Sequence, residues 1–379
     1  MEKFSAFRDP GTGIQPFLKP VPPAGSQVLT TIALPVGYAL GALRTSLVLA
    51  LGLIYVVLVE GVCLVLKPVP PLYRTVAHVV TAFIARLVLF ILGLFWISVQ
   101  VVNRKRGRGA KRPEKWNPGA GDIIVSNWAS TADLLWLAFR FNPIFVLPVY
   151  SASDLPQLTA HTSSPITHTP GRRTGTGSAA ISSPAARAPT PRTPIIGFRR
   201  VSLLTILCTI GQTPQASNAA DSGMKTLEQI RSVADRPVAV FPECTTSNGR
   251  GLLHFAELFS GVSVPVTRFK VFVMCVRYDP PTVLCPTLSH PIPSSRLNPL
   301  SHIFAVTTAL VPQTMSVRLL SPSESPSSGT FIASEFLSGG EDPVSEACAS
   351  LIAQIGKMKR IGLGWEDKIA FLDFYKSKK

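Results

Sequence analysis

The chain has 379 residues, enough for one sizeable domain with appendages, and its 46% hydrophobic against 15% charged residues point to membrane-embedded segments. A formal charge of +16 calls for an anionic partner; a lipid surface with acidic substrates suits the apolar content, and nucleic acid is set aside because no interleaving of basic and aromatic residues accompanies the charge. The six cysteines, at 63, 208, 244, 275, 285 and 348, form no Cys-x-x-Cys pair, which argues against a zinc site or disulfide framework and fits a reducing, cytosol-facing setting.

Residues 1–27 are rich in Pro, Gly and Ser and carry Lys3, Arg8 and Lys19; they are expected to form a flexible arm and lack the pattern of a secretory signal. Residues 28–102 are expected to be a membrane-embedded hairpin. An uncharged run from Val28 to Leu43 is broken by Pro35, and 46–66 has about the ~20 residues a bilayer helix needs, with Glu60 its one charge. Lys67-Pro-Val-Pro-Pro71 stops it, and a second apolar stretch runs from Val76 to Val102. Glu60 and Arg86 could pair within the hairpin or snorkel to the interface. Residues 103–120 form a basic linker with Arg104, Lys105, Arg106, Arg108, Lys111, Arg112 and Lys115, which the positive-inside rule places on the cytosolic side. The hairpin either crosses the bilayer twice or enters and leaves one leaflet, which would suit a lipid droplet monolayer.

A soluble domain is expected over 121–342. Asp122–Ser126 reads as a strand, followed by Asn127-Trp128-Ala129-Ser130-Thr131-Ala132-Asp133 and a helical run from Leu134 to Phe141. Ser130 and Thr131 are candidate helix caps, and Asp133 an early-helix carboxylate favoured by the dipole. Phe145–Tyr150 is the next strand. Residues 157–193, with few large apolar side chains, read as a flexible insertion carrying Arg172, Arg173, Arg187, Arg192, His161 and His168. Order returns at Pro194–Arg200. An amphipathic helix is expected over 220–233, with Met224, Leu227, Ile230 and Val233 on one face.

Pro237–Phe241 reads as a short buried strand. It leads into Pro242-Glu243-Cys244-Thr245-Thr246-Ser247-Asn248-Gly249-Arg250, where a carboxylate, three hydroxyls, an amide and a guanidinium are concentrated. Arg250 offers a planar fork suited to phosphate, and the flanking glycines allow close backbone approach. A short helix is expected over Leu252–Leu258, an apolar strand over Ser263–Thr267, further strands over Lys270–Tyr278 and Met315–Leu320, irregular chain over 279–301, a helix over 343–357 and a basic, aromatic tail over 365–379, the last two forming a C-terminal unit, 343–379.

Phe241-Pro242-Glu243-Cys244-Thr245-Thr246-Ser247 resembles the Phe-Pro-Glu-Gly-Thr block of the glycerolipid acyltransferases, with Cys244 where that family has Gly. The resemblance runs over roughly 121–278 in four blocks, and the chain looks like a divergent, fungal-type, lysophosphatidic acid acyltransferase-like member. It implies an α/β fold, a mixed sheet flanked by helices, preceded by the hairpin, with the acceptor site where the first and third blocks meet. In the first block, His-x-x-x-x-Asp, the His deprotonates the acceptor hydroxyl and the Asp orients it; Asp133 matches the Asp, but Trp128 stands in the His position. Indole is a donor only and cannot act as a base. His254 is one candidate substitute base, with an ordinary helix-face histidine as the competing reading; the acceptor's own phosphate could take the proton, or Asp133 could act directly. The resemblance also implies catalytic roles for Asp133 and Glu243, and acceptor binding by Gly197, Arg199 and Arg200 of the second block and by Thr245, Thr246, Ser247 and Arg250 of the third. Arg199 and Arg200 equally fit a solvated turn, and Cys244 fits a small tolerated residue better than an acyl-carrying nucleophile. The expected activity is direct transfer of an acyl chain from acyl-CoA, as co-substrate, to a lysophospholipid, with no cofactor and no metal. The expected place is the endoplasmic reticulum membrane or a lipid droplet, with the catalytic domain cytosolic and anionic lipids against the basic linker. The runner-up is a lipid-binding protein that kept the fold without the base.

Overall fold

Strand side chains pointing alternately to opposite faces build two cores, one on either side of one sheet. A computed structural model describes residues 4–23, 27–104, 114–151, 192–217, 223–329, 331–332 and 342–378. Nearly all of the expected insertion, and Lys105, Arg106, Arg108, Lys111 and Arg112 of the basic linker, lie outside the described residues.

The chain begins with the arm, residues 4–23, and two long helices, α1 (Gln27–Tyr55) and α2 (Pro70–Ile91). It continues through β1 (Ile97–Val102), β2 (Ile123–Ser126), α3 (Thr131–Arg140), β3 (Ile144–Ser151), β4 (Ile195–Val201), α4 (Leu203–Cys208), β5 (Gln215–Ser217), α5 (Leu227–Ser232), β6 (Val238–Val240), β7 (Gly251–Leu252), β8 (Val271–Tyr278), α6 (Leu300–Thr307), β9 (Met315–Leu320), α7 (Pro343–Gly356), β10 (Lys359–Arg360) and α8 (Trp365–Ser377).

The main sheet has the order β1-β9-β8-β2-β6-β3-β4, with β5 also on β3. It is mixed: β2 runs parallel to β6 and β8, and β3 parallel to β6, whereas β8–β9 and β3–β4 are antiparallel. Strand side chains point alternately to opposite faces. Ile124, Ala239, Phe272, Met274 and Val317 join the core beneath α2 and α3, and Ile123, Val125, Val240, Val273 and Cys275 join the core beneath α7. With both faces covered, central strands become continuous apolar runs. The expected α/β architecture is therefore present. A third, smaller cluster joins Phe7 and Phe17 of the arm to Leu253, Ile361 and Phe371. The arm, expected to be flexible, lies packed there.

Several local expectations are corrected. α1 runs through Pro35 without a break. The second apolar stretch does not stay helical to Val102: α2 ends at Ile91, Gly93 turns the chain at φ +89°, and the β-branched run that follows pairs with β9 as an edge strand. Arg86 does not meet Glu60 but donates to the carbonyls of Leu94 and Phe95. The helix expected over 220–233 is confined to α5, because the Thr226–Gln229 capping box starts it at Leu227. Residues 253–258 form no helix, and 263–267 form no strand. α4, α6 and the tail helix α8 were not expected.

Two helices, Ala33–Gly61 and Pro70–Ile91, are long and apolar enough to cross a membrane. Each also docks on the domain. Arg74 in the first turn of α2 pairs with Asp235 at 3.0 Å, and Gly93 beyond its last turn accepts from Gln313 N–H at 3.0 Å. Between those anchors Ala77, Ile84, Ala85, Val88 and Leu89 are buried, while Val79, Phe83 and Phe90 are exposed. α1 meets α6 closely: Arg44 donates to the carbonyls of Thr307 and Ala309 at the C-terminal end of α6, as a cation there should. A Cβ on Gly41 would lie 2.8 Å from Thr308 Cγ2, whereas Gly52 has nothing within 4 Å. Gly41→Leu should therefore lower stability in detergent by roughly 1–3 kcal/mol through overpacking. Gly52→Leu should leave it unchanged or raise it by up to about 1 kcal/mol through helix propensity. Thermal unfolding of both variants checks this.

Candidate active site

Because β2 and β6 are parallel neighbours with Val125 opposite Val240, the loops leaving their C-terminal ends emerge side by side. One is Asn127–Asp133 and the other Phe241–Asn248, so the first and third blocks meet. Asn127 fixes the root of the first loop by exchanging two hydrogen bonds with the main chain of Val276 on β8, at 2.8 and 3.0 Å.

One buried carboxylate, Glu243, ties the two loops together, and a second, Asp133, holds the first loop to itself and to β8. Glu243 accepts from Trp128 N–H at 2.8 Å through Oε1 and from Leu253 N–H at 3.1 Å through Oε2. Trp128 C=O in turn accepts from Ser247 N–H at 3.1 Å. Asp133 Oδ2 accepts from the N–H groups of Ala129 (2.8 Å) and Ser130 (2.9 Å), while Oδ1 accepts from the Tyr278 hydroxyl. Ser130 is the helix cap expected of it, its Oγ accepting from Ala132 N–H. Burial pushes the Asp133 carboxyl up to about 6 against the pull of these donors. It pushes Glu243 up to about 8, its two amide donors and the nearby Lys368 ammonium opposing and Asp133 adding to the rise.

Trp128 is buried, stacked on Phe241 with ring centroids 5.0 Å apart, and its indole Nε1 has no partner. An aromatic pair thus fills the ground beside Asp133. Cys244 sits at φ +55°, a left-handed conformation that glycine adopts without cost. Its thiol is buried and its pKa is raised well above the usual range by desolvation, which disfavours the thiolate needed for a nucleophile.

The other expected residues are not all brought together. Thr245, Thr246 and Ser247 are buried in the loop, where Thr245 Oγ1 donates to Gln212 C=O and Thr246 Oγ1 to His290 C=O, both at 2.6 Å. Arg250 is exposed. Gly197 is a packing position: a Cβ there would lie 2.4 Å from Met224 Cγ. Arg199 reaches Gln215 on β5. Arg200 is exposed and faces Val146, towards the start of β3, whereas Glu243 lies beyond the far end of β6. Arg200 lines a separate cavity of about 620 Å³ with Arg74, Asp235 and Arg236. His254 is exposed between buried Leu253 and Phe255, and its main-chain N–H donates to Leu363 C=O at 2.9 Å.

Two groups beside the motif escaped the sequence reading. Lys368 of α8 is wholly buried, donating to Thr245 Oγ1 and Thr246 C=O at 2.7 Å each, and desolvation lowers its pKa well below the lysine range. His290 donates its main-chain N–H to Ala129 C=O at 2.8 Å, and its carbonyl accepts from Thr246, so its backbone braces both loops. Its ring packs edge-on against His302 at 4.3 Å. A lysine inside an aromatic helix is the signal that could have found the first; Ser289-His290-Pro291 carries no comparable sign. Among the described residues, no group of three or more His, Cys, Asp or Glu side chains is placed to hold a metal ion.

The chain is similar over nearly its full length to a Schizosaccharomyces pombe protein named "Putative lysophosphatidic acid:oleoyl-CoA acyltransferase", with 22% identity over 378 residues, 98% of each chain. No family model and no solved structure matches. The end-to-end likeness supports an acyltransferase-type enzyme at a coarse level.

Burial pushes the His290 pKa down to about 4, Lys368 adding to the effect. A histidine buried neutral contributes stability that is complete above its unfolded pKa and lost as pH falls towards the folded one. From pH 7 to pH 5 His290 should cost the wild type about 2 kcal/mol, and His290→Gln should remove that part of the pH dependence. The difference between the two proteins in thermal unfolding across that range checks it.

Proposed function

We propose that the protein is a membrane-associated acyltransferase that moves an acyl chain from acyl-CoA to a lysophospholipid, with lysophosphatidic acid the foremost acceptor and phosphatidic acid the product. The observation that carries this reading is the clamp of Glu243 on the Trp128 amide, which joins the two loops whose sequences carry the resemblance. The end-to-end likeness to the Schizosaccharomyces pombe protein supports it independently.

The acceptor hydroxyl attacks the thioester carbonyl, a tetrahedral oxyanion forms, and coenzyme A leaves as the C–S bond breaks. Donors aimed at the oxyanion contribute about 3 kcal/mol each. Asp133 and Glu243 act as positioning residues, since their oxygens are already held by main-chain amides and Tyr278. No cofactor is proposed; acyl-CoA is the co-substrate.

We place the domain on the cytosolic face of the endoplasmic reticulum membrane or on a lipid droplet. A helix of 22 residues spans about 33 Å, yet α2 is anchored to the domain near both ends. That favours a hairpin lying in one leaflet, with Leu43, Leu47, Leu53, Phe83 and Phe90 turned to acyl chains. The second reading, lipid binding without chemistry, is favoured by Trp128 in the position where a base is required.

Membranes lacking endogenous acyltransferase, supplied with labelled oleoyl-CoA and a panel of lysophospholipids, test the reading. Wild type should turn over, fastest with lysophosphatidic acid. Glu243→Gln, which puts an amide donor against one of two main-chain N–H groups, should lose at least about tenfold. Absence of turnover by well-expressed wild type that still binds lysolipid would leave the second reading.

A further inference from the structure

A cavity of about 480 Å³ opens beside the two loops, with Lys19, His290, Arg296 and His302 among its lining residues and no carboxylate. Lys19 and Arg296 are exposed, and neither has a hydrogen-bond or ion-pair partner among the described residues. Lys19 also lines an adjoining apolar cavity of about 440 Å³ between α1 and α6, walled by Leu34, Tyr38, Phe304 and Leu310. Leu34 and Tyr38 stand on the exposed apolar side of α1. A polar chamber with two uncommitted cations thus shares Lys19 with a hydrocarbon-lined one, an arrangement of charge and apolar wall that suits an anionic amphiphile with a single chain.

The ring of His290 has a defined tautomer. Asn298 Nδ2 donates to the carbonyls of Cys208 (2.8 Å) and Ile210 (2.7 Å), so its Oδ1 is the acceptor, as the bond from Ser294 N–H at 3.0 Å also requires. His290 Nε2, 3.1 Å from that Oδ1, must carry the hydrogen. In the neutral ring Nδ1 then holds a free lone pair, and no partner among the described residues occupies it. Burial keeps the ring neutral near pH 7.

We propose that this paired cavity is the acceptor site, with the phosphate on Lys19 and Arg296, the chain between α1 and α6, and His290 Nδ1 as the base that Trp128 cannot provide. This rests on the acyltransferase reading. The proton of the acceptor hydroxyl passes to Nδ1, its oxygen bonds to the thioester carbon, and the C–S bond breaks. The departing coenzyme A thiolate takes the proton back, so the imidazole ends neutral. Asn298 is a positioning residue that fixes the tautomer. The site uses neither His254 nor Arg200.

Steady-state kinetics in membranes or micelles, with oleoyl-CoA and lysophosphatidic acid, test it. His290→Ala and the bulkier His290→Gln should lower kcat by at least about 100-fold, with binding of labelled lysophosphatidic acid retained. Lys19→Ala/Arg296→Ala should raise KM for lysophosphatidic acid at least about tenfold, with kcat nearly unchanged, and should alter KM for an uncharged monoacylglycerol little. Thermal unfolding identifies variants that fold. A folded His290→Gln enzyme within about threefold of wild-type kcat would overturn the base, and an unchanged KM in the double variant would overturn the phosphate site. No turnover by wild type would instead overturn the acyltransferase reading on which both rest.

Discussion

The carboxylate of Glu243 holds the main chain of a turn that belongs to another strand. It binds the amide of Trp128 beyond β2 and that of Leu253 ahead in its own chain, with no water-facing surface to spare. A typical hydrogen bond contributes about 0.5–1.5 kcal/mol net, and a buried amide left without its partner costs about 1–3 kcal/mol. Asp133 repeats the device on the amides of Ala129 and Ser130. Lys368 arrives from the C-terminal helix and His290 from the loop after β8, each holding polar groups of the same turns. Distant parts of the chain also converge: Asn248 donates to the carbonyls of Gln15 and Leu18, and Phe17 rests on Phe371 of the C-terminal helix. The arm, both motif loops and α8 therefore stand or fall together.

This construction separates holding from reacting. A carboxylate whose oxygens are engaged by amides is a support, and an indole stacked on Phe241 adds shape and dryness but no basicity. For the proposed acyl transfer, the proton acceptor then belongs at the edge of the cluster, where titratable groups meet accessible space. The charged arm residue Lys19 and the loop bearing His290 and Arg296 supply that edge. The adjoining apolar cavity is walled by Leu34 and Tyr38 on the exposed side of α1. The docking of α1 on α6 makes that helix and the cavity parts of one structure.

The sheet was largely legible because strands covered on both faces read as unbroken apolar runs: Ile123–Ser126, Val238–Val240 and Val271–Tyr278 stand out without knowledge of their neighbours. The meeting of Asp133 and Glu243 was legible through resemblance rather than through physics, since sequence spacing alone does not say which strands pair. β1 was hidden because its apolar run follows that of α2, and only Gly93 separates two elements of opposite periodicity. α6 was hidden behind a Pro- and Ser-rich stretch. The roles of Lys368 and His290 exist only in three dimensions: one is a buried amine held by Thr245 and Thr246, the other an imidazole whose tautomer depends on an asparagine eight residues on. Gly197 read as part of a ligand-binding block, but its smallness serves Met224.

Glu243 locks the Trp128 turn in a dry, solvent-excluded arrangement. Amide hydrogen exchange followed by mass spectrometry on the detergent-solubilised full chain tests it directly, comparing wild type with Glu243→Gln. Peptides carrying Trp128–Ala132 and Leu253 should be protected in wild type to an extent close to β8, and should lose that protection in the variant while β8 keeps its own. Rapid exchange of the Trp128 amide in wild type, at the rate of an open surface loop, would contradict the account.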